Sequence, residues 1–191
     1  MSLNILASDA PARLVPVEQR FAPLFCFALL TSACALASFV FACATPFAAF
    51  AVVAAAMLPL RSALLPVTGA WLVNQAIGFG VLHYPVDANT IAWGFAIGAA
   101  ALAATAMASL MLRALPRNVT PVALAFALFG AYVGYEIVLF TVTPFLGGEG
   151  AFTATIVARL GALSALWLVG LVAVAEVCRF VLNTRQRATT A

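Results

Sequence analysis

Asn74, Gln75, Glu136 and Arg159 stand inside otherwise apolar stretches, accompanied at helical spacing by aromatic side chains with polar tips. Amides, a carboxylate and a guanidinium are costly in hydrocarbon. They are kept there where they face a bundle interior and meet a solute, an ion or a neighbouring helix. Trp71, Asn74, Gln75 and Gly78 follow i, i+3, i+4, i+7 spacing and so share one helix face. Phe129, Tyr132, Tyr135 and Glu136 form a second such stripe, Phe152, Thr155 and Arg159 a third, and Asn89 and Trp93 sit one turn apart in a fourth segment. Amides, hydroxyls and indoles around one acid and one base suit a small organic ligand that is part ring and part polar.

Catalytic chemistry has no matching pattern. HExxH, GxSxG and CxxC motifs are absent, as is a P-loop, so no catalytic residue is assigned and the chain is not expected to be an enzyme. A single histidine, His83, excludes haem ligation by two histidines. It falls in a loop, and an intramembrane enzyme built on it would need it to meet Glu136. Cys26, Cys34, Cys43 and Cys178 lie in apolar segments without a histidine at ligand spacing and read as small hydrophobes, so neither a metal nor a cofactor is expected.

A second reading stands beside the binding one for each polar residue. Glu136 and Arg159 would neutralise one another across adjacent antiparallel helices. Asn74 and Gln75 would act as interhelical hydrogen-bond glue of about 1 kcal/mol. Trp71, Trp93, Tyr132 and Tyr135 would be interface or packing aromatics.

The elements that position these residues follow from composition. Of 191 residues, 65% are hydrophobic and 8% charged, against about 25% charged in a soluble domain, and the mean hydropathy is +1.13. Apolar runs long enough to cross about 30 Å of hydrocarbon recur along the chain, which predicts an all-α membrane bundle. Six spans are expected, at about 22–44, 47–60, 62–82, 91–112, 122–142 and 152–180. The second is short, ending at Pro59 and Arg61, and would stand nearly upright, thin the bilayer locally or be shielded by its neighbours. Flanking tails are expected at 1–20 and 184–191 around a transmembrane domain at 21–183, with no cleaved signal peptide.

All nine basic residues are arginine. Arg13, Arg20, Arg61, Arg113, Arg117, Arg179, Arg185 and Arg187 fall in alternate connections, which places both termini in the cytoplasm; Arg159 is the remaining one. Their dispersal argues against nucleic acid as a partner. Asn74, Gln75, Glu136 and Arg159 then lie at similar depths, about 11 Å from the outer ends of their spans, and predict an outward-opening polar pocket. Small residues at four-residue spacing, Ala33 and Ala37 with Ala28 and Ser32 on span one and Gly94 and Gly98 on span four, mark places where helices approach closely.

Six spans in about 190 residues, both ends inside, an outward pocket and the Ala33–Ala37 stripe together resemble the substrate-capture component of energy-coupling factor transporters. The likeness covers nearly the whole chain and rests on layout. It implies capture of a small vitamin-like solute at the outer side of a bacterial inner membrane, with release driven by a transmembrane coupling protein and ATPase subunits. It also implies substrate contacts from Asn74, Gln75, Tyr132, Glu136 and Arg159 and coupling contacts from Ala33 and Ala37; by their helical spacing Trp71, Asn89, Trp93 and Tyr135 are expected to join the site, and Ala28 and Ser32 the partner face. The Met-x-His start of nickel and cobalt capture proteins is missing, which disfavours a transition-metal substrate. The competing class is a membrane scaffold or assembly protein whose polar residues only hold helices together.

Overall fold

Apolar, alanine-rich segments punctuated by proline and glycine fold here into six helices, with no strand among the described residues. The computed structural model describes residues 12–41, 44–116 and 120–189. Cys43, Arg117 and most of the expected N-terminal tail lie outside them. The helices are α1 (Ala22–Phe41), α2 (Phe47–Met57), α3 (Leu60–Gly80), α4 (Ala88–Ala114), α5 (Thr120–Leu146) and α6 (Ala154–Thr189). A 3-10 turn, Gln19–Phe21, leads into α1, and another, Glu149–Phe152, precedes α6.

Four segments are long and apolar enough to cross a membrane: Gln19–Phe41, Ala88–Ala114, Thr120–Leu146 and Ala154–Arg185. Large apolar side chains cover the outside, among them Leu24, Phe39, Leu65, Phe126, Phe129 and Phe180. Such a surface is unsuited to water and matched to lipid. The protein is thus a multi-pass membrane protein by its helices.

The second segment behaves differently from its neighbours. With 11 residues α2 is about 16 Å long, roughly half the hydrocarbon thickness. It is apolar on every face and buried on nearly every face, and Phe47, Phe50, Val52, Val53 and Met57 are almost fully enclosed. A helix without a polar side belongs in a core. Helices α3, α4, α5 and α6 pack around it, and its alanines share one buried core with Ala101, Ala104 and Ala108 of α4. Enclosure by the other helices, one of the options open to a short second span, is what the structure shows for α2. Pro46 and Pro59 bound it, and the extended Leu58 and Pro59 reverse the chain into α3.

The N-terminal segment before α1 closes one end of the bundle. The Arg13 and Leu14 N–H groups both donate to the Ala56 carbonyl at the end of α2, and Leu14 is buried in the core. The Arg13 guanidinium donates to the carbonyls of Leu112, Leu115 and Pro116, capping α4 where its last carbonyls lack intrahelical partners. Residues 12–17 therefore form part of the packed body. At the opposite end Asp87 caps α4, accepting from the Thr90 N–H at 2.8 Å and the Thr90 hydroxyl at 2.9 Å.

Between α3 and α4, His83 takes a left-handed backbone conformation (φ 53°). The turn lets the Tyr84 N–H reach the Gly78 carbonyl and lays the Tyr84 ring over Gly78, where a Cβ would come within 2.7 Å of it.

Candidate functional site

The cavity that gathers Trp93, Tyr132 and Tyr135 lies at the end of the bundle opposite Arg13. It forms where α2 stops short. Ala44, Thr45, Pro46, Phe47 and Ala48 make its floor, and α4 contributes Trp93 and Ile97. Tyr132, Tyr135, Glu136 and Leu139 of α5 and Leu160 and Ser164 of α6 line its walls, and Gly148 and Phe152 come from the α5–α6 connection. Its volume is about 320 Å³, at the small end of the range for ligand sites, about 300–1,000 Å³.

Each wall is held by specific contacts. The Phe47 and Tyr135 rings stack with centroids 6.4 Å apart, fixing the start of α2 against α5. The Tyr132 hydroxyl donates to the Val157 carbonyl at 2.7 Å, and its ring packs beside Gly161, joining α5 to α6. Glu136, one turn beyond, is half-buried beside the Tyr132 hydroxyl. Trp93 reaches from α4 to the end of α5, donating to the Leu146 carbonyl at 3.4 Å. Gly147 and Gly148, at φ 78° and 90°, turn the chain there; a Cβ at Gly148 would lie 3.4 Å from the Trp93 ring. Left-handed backbone at both positions is a conformation glycine adopts freely.

Of the nine residues expected to contact substrate, Trp93, Tyr132, Tyr135 and Glu136 line this cavity. The others are distributed elsewhere. Asn74 is buried beneath it and donates to the hydroxyls of Ser38 and Thr45, both at 3.0 Å, while Gln75 donates to the Asn74 carbonyl oxygen at 3.1 Å. Asn74 thus holds the α1–α2 connection, and through Thr45 it supports the cavity floor without reaching the cavity. Trp71 and Gln75 face α4: the Trp71 N–H donates to the Gly94 carbonyl at 2.8 Å, and Cβ atoms at Gly98 and Gly94 would meet the Trp71 ring at 2.8 Å and the Gln75 side-chain oxygen at 2.5 Å. The glycine pair on span four therefore is a point of close helix approach. Asn89 is exposed in the first turn of α4.

Arg159 is exposed on α6 and forms no ion pair with Glu136; the two bridges among the described residues are Arg20–Glu18 and Arg179–Glu176. The mutual neutralisation of Glu136 and Arg159 is not realised. His83 is exposed in its loop and does not line the cavity that contains Glu136, which separates the two residues an intramembrane enzyme would have to bring together. No group of three or more His, Cys, Asp or Glu side chains among the described residues is placed to hold a metal ion.

On α1, Ala28 and Ser32 are exposed, whereas Ala33 and Ala37 are buried in the bundle. Only the first two of the four are open to a partner in this conformation. Sequence reasoning missed Thr45, Pro46, Phe47 and Ser164 as wall residues, whereas Phe152 belongs to the stripe it marked with Thr155 and Arg159. Thr45-Pro46 reads as an ordinary span break, and only its position beside a helix too short to span hints that the break dips inward.

No family model, curated protein or solved structure matches this chain. The reading of the site therefore rests on its own geometry.

Proposed function

We propose that the chain is a solute-capture subunit of an uptake transporter, with six spans, both termini in the cytoplasm and the cavity open to the outer side of a bacterial inner membrane. In this reading α2 and α3 count as spans, α2 as a central half-length one that the others enclose. Its ligand is a small organic, vitamin-like solute. A transmembrane coupling protein and ATPase subunits would supply the energy, as in the energy-coupling factor transporters that the layout resembles, with Ala28 and Ser32 offering a small-residue face on α1.

The observation that carries this reading is the placement of the cavity. It sits at the end where Asp87 begins α4, while Arg13, Arg20, Arg61, Arg113, Arg179 and Arg185 gather toward the opposite end. Basic flanks are retained in the cytoplasm, so the cavity would face outward. The packed N-terminal segment beneath α2 supports a site closed on the inner side.

A thermal-shift screen of the detergent-purified protein tests it, using vitamins, their precursors, nucleobases and amino acids. A bound ligand stabilises the folded state by about 2.7 kcal/mol at a hundred times its Kd. One compound class is expected to raise the Tm, and Trp93→Ala is expected to abolish that rise while leaving the unliganded protein folded. Absence of a shift across the whole panel would overturn capture in favour of a scaffold.

A further inference from the structure

Within the proposed capture cavity the charge balance is one-sided. Among the described residues that line it, Glu136 is the one ionisable acid or base apart from the tyrosine hydroxyls, and it forms no ion pair with a described arginine. A carboxylate held in an apolar setting without a counter-charge is strongly unfavourable. Four further aromatic rings, Phe47, Trp93, Tyr132 and Tyr135, line the same space, and Phe152 closes it from the α5–α6 connection. The faces of such rings carry negative potential and attract cations.

In sequence, the connections at this end carry Asp87 and Glu149, and the adjoining part of α6 carries Arg159. A cleft with low-dielectric walls and an acid among its lining concentrates cations. A hard metal ion would ask for several oxygen ligands at once, which a single carboxylate among rings does not offer.

We infer that the cavity selects a small, largely apolar organic monocation, its positive nitrogen against Glu136 and its body against Trp93, Tyr135 and Phe152. The Ser164 hydroxyl, buried in the α6 wall, is placed to orient one polar substituent. This inference rests on the capture reading and names the chemistry of its ligand.

The test uses three probes of one skeleton, 2-phenylethylammonium, 2-phenylethanol and phenylacetate, with benzyltrimethylammonium as a permanent cation. Each is titrated against the tryptophan fluorescence of the detergent-purified full chain, and Trp93→Phe identifies the part of the signal that comes from the cavity. The two cations are expected to bind saturably and at least tenfold more tightly than the alcohol or the carboxylate. Glu136→Gln is expected to weaken them at least tenfold, and Glu136→Asp to keep the preference for the cation at reduced affinity. Gel filtration and circular dichroism verify that both variants fold. Saturable binding of the alcohol or carboxylate as tight as that of the cations, or cation binding unchanged in Glu136→Gln, would overturn the charge assignment and leave capture standing. A Trp93 signal unmoved by every probe and by the broader solute panel would overturn both.

Discussion

Asn74 illustrates how far a single residue can be understood from its type. A carboxamide in an apolar helix must find partners, and it does so in the Ser38 and Thr45 hydroxyls, which makes it a support for the cavity floor. Spacing placed Asn74, Gln75 and Trp71 on one face, yet that face is divided between two neighbours, α1 for Asn74 and α4 for Trp71 and Gln75. Trp93, Tyr132, Tyr135 and Glu136 were legible as candidates because polar-tipped aromatics and a carboxylate stand out in apolar helices; Thr45 and Ser164 carry no such signal. Asp87 allows a prediction that lies outside the spans. The Thr90 N–H and hydroxyl, in that order, hold its carboxyl below its ordinary value of 3.8. A depressed folded pKa gives stability that is present above 3.8 and is lost as pH falls through the folded value. Asn caps a helix comparably without titrating. Melting curves from about pH 6 down to about pH 3 should therefore show the wild type losing more Tm than Asp87→Asn; parallel curves would remove the cap's role.

At the scale of elements, the α3–α4 contact depends on glycines that admit large side chains. At Gly98 a Cβ would lie 2.8 Å from the Trp71 ring, closer than packed atoms tolerate. Gly98→Ala is expected to cost about 1–3 kcal/mol by overpacking. Gly170, on α6, has nothing within 4 Å of its Cβ position, so Gly170→Ala should be neutral or mildly stabilising through helix propensity alone. Comparing the two melting temperatures separates a contact effect from a general intolerance of alanine; equal shifts would contradict the packing account. The same reasoning explains α2: its Ala and Val side chains are small enough for α3, α4, α5 and α6 all to approach it. Composition announced an apolar helix, but a segment of this length is equally suited to a short span or a core helix. The helices around it decided which.

Across the whole molecule the two ends have opposite characters. One bears most of the arginines and is closed under α2 by the segment beginning at Arg13, while the other bears Asp87, Glu149 and the cavity. The orientation proposed from this asymmetry is open to direct test. Val86 is 80% exposed in the α3–α4 connection, and Thr184 is exposed near the end of α6. In intact cells a membrane-impermeant thiol reagent should label Val86→Cys and spare Thr184→Cys, with the unsubstituted protein as the control for native cysteines; the reverse pattern would turn the cavity toward the cytoplasm.

Sequence alone determined the class of this protein, because few charges and long apolar runs leave a chain no water-compatible surface and backbone groups in lipid must pair within helices. It also marked which polar side chains needed partners, since their cost is set by residue type and surroundings. Tertiary structure decided which partners they found. Periodicity defines a face of a helix but not the helix opposite it, so only packing could separate the cavity residues Trp93, Tyr132, Tyr135 and Glu136 from the supporting Asn74, the interlocked Trp71 and Gln75, and the outward Asn89 and Arg159. The cavity itself arises because α2 ends where its neighbours continue, a consequence of relative helix position that no single segment encodes.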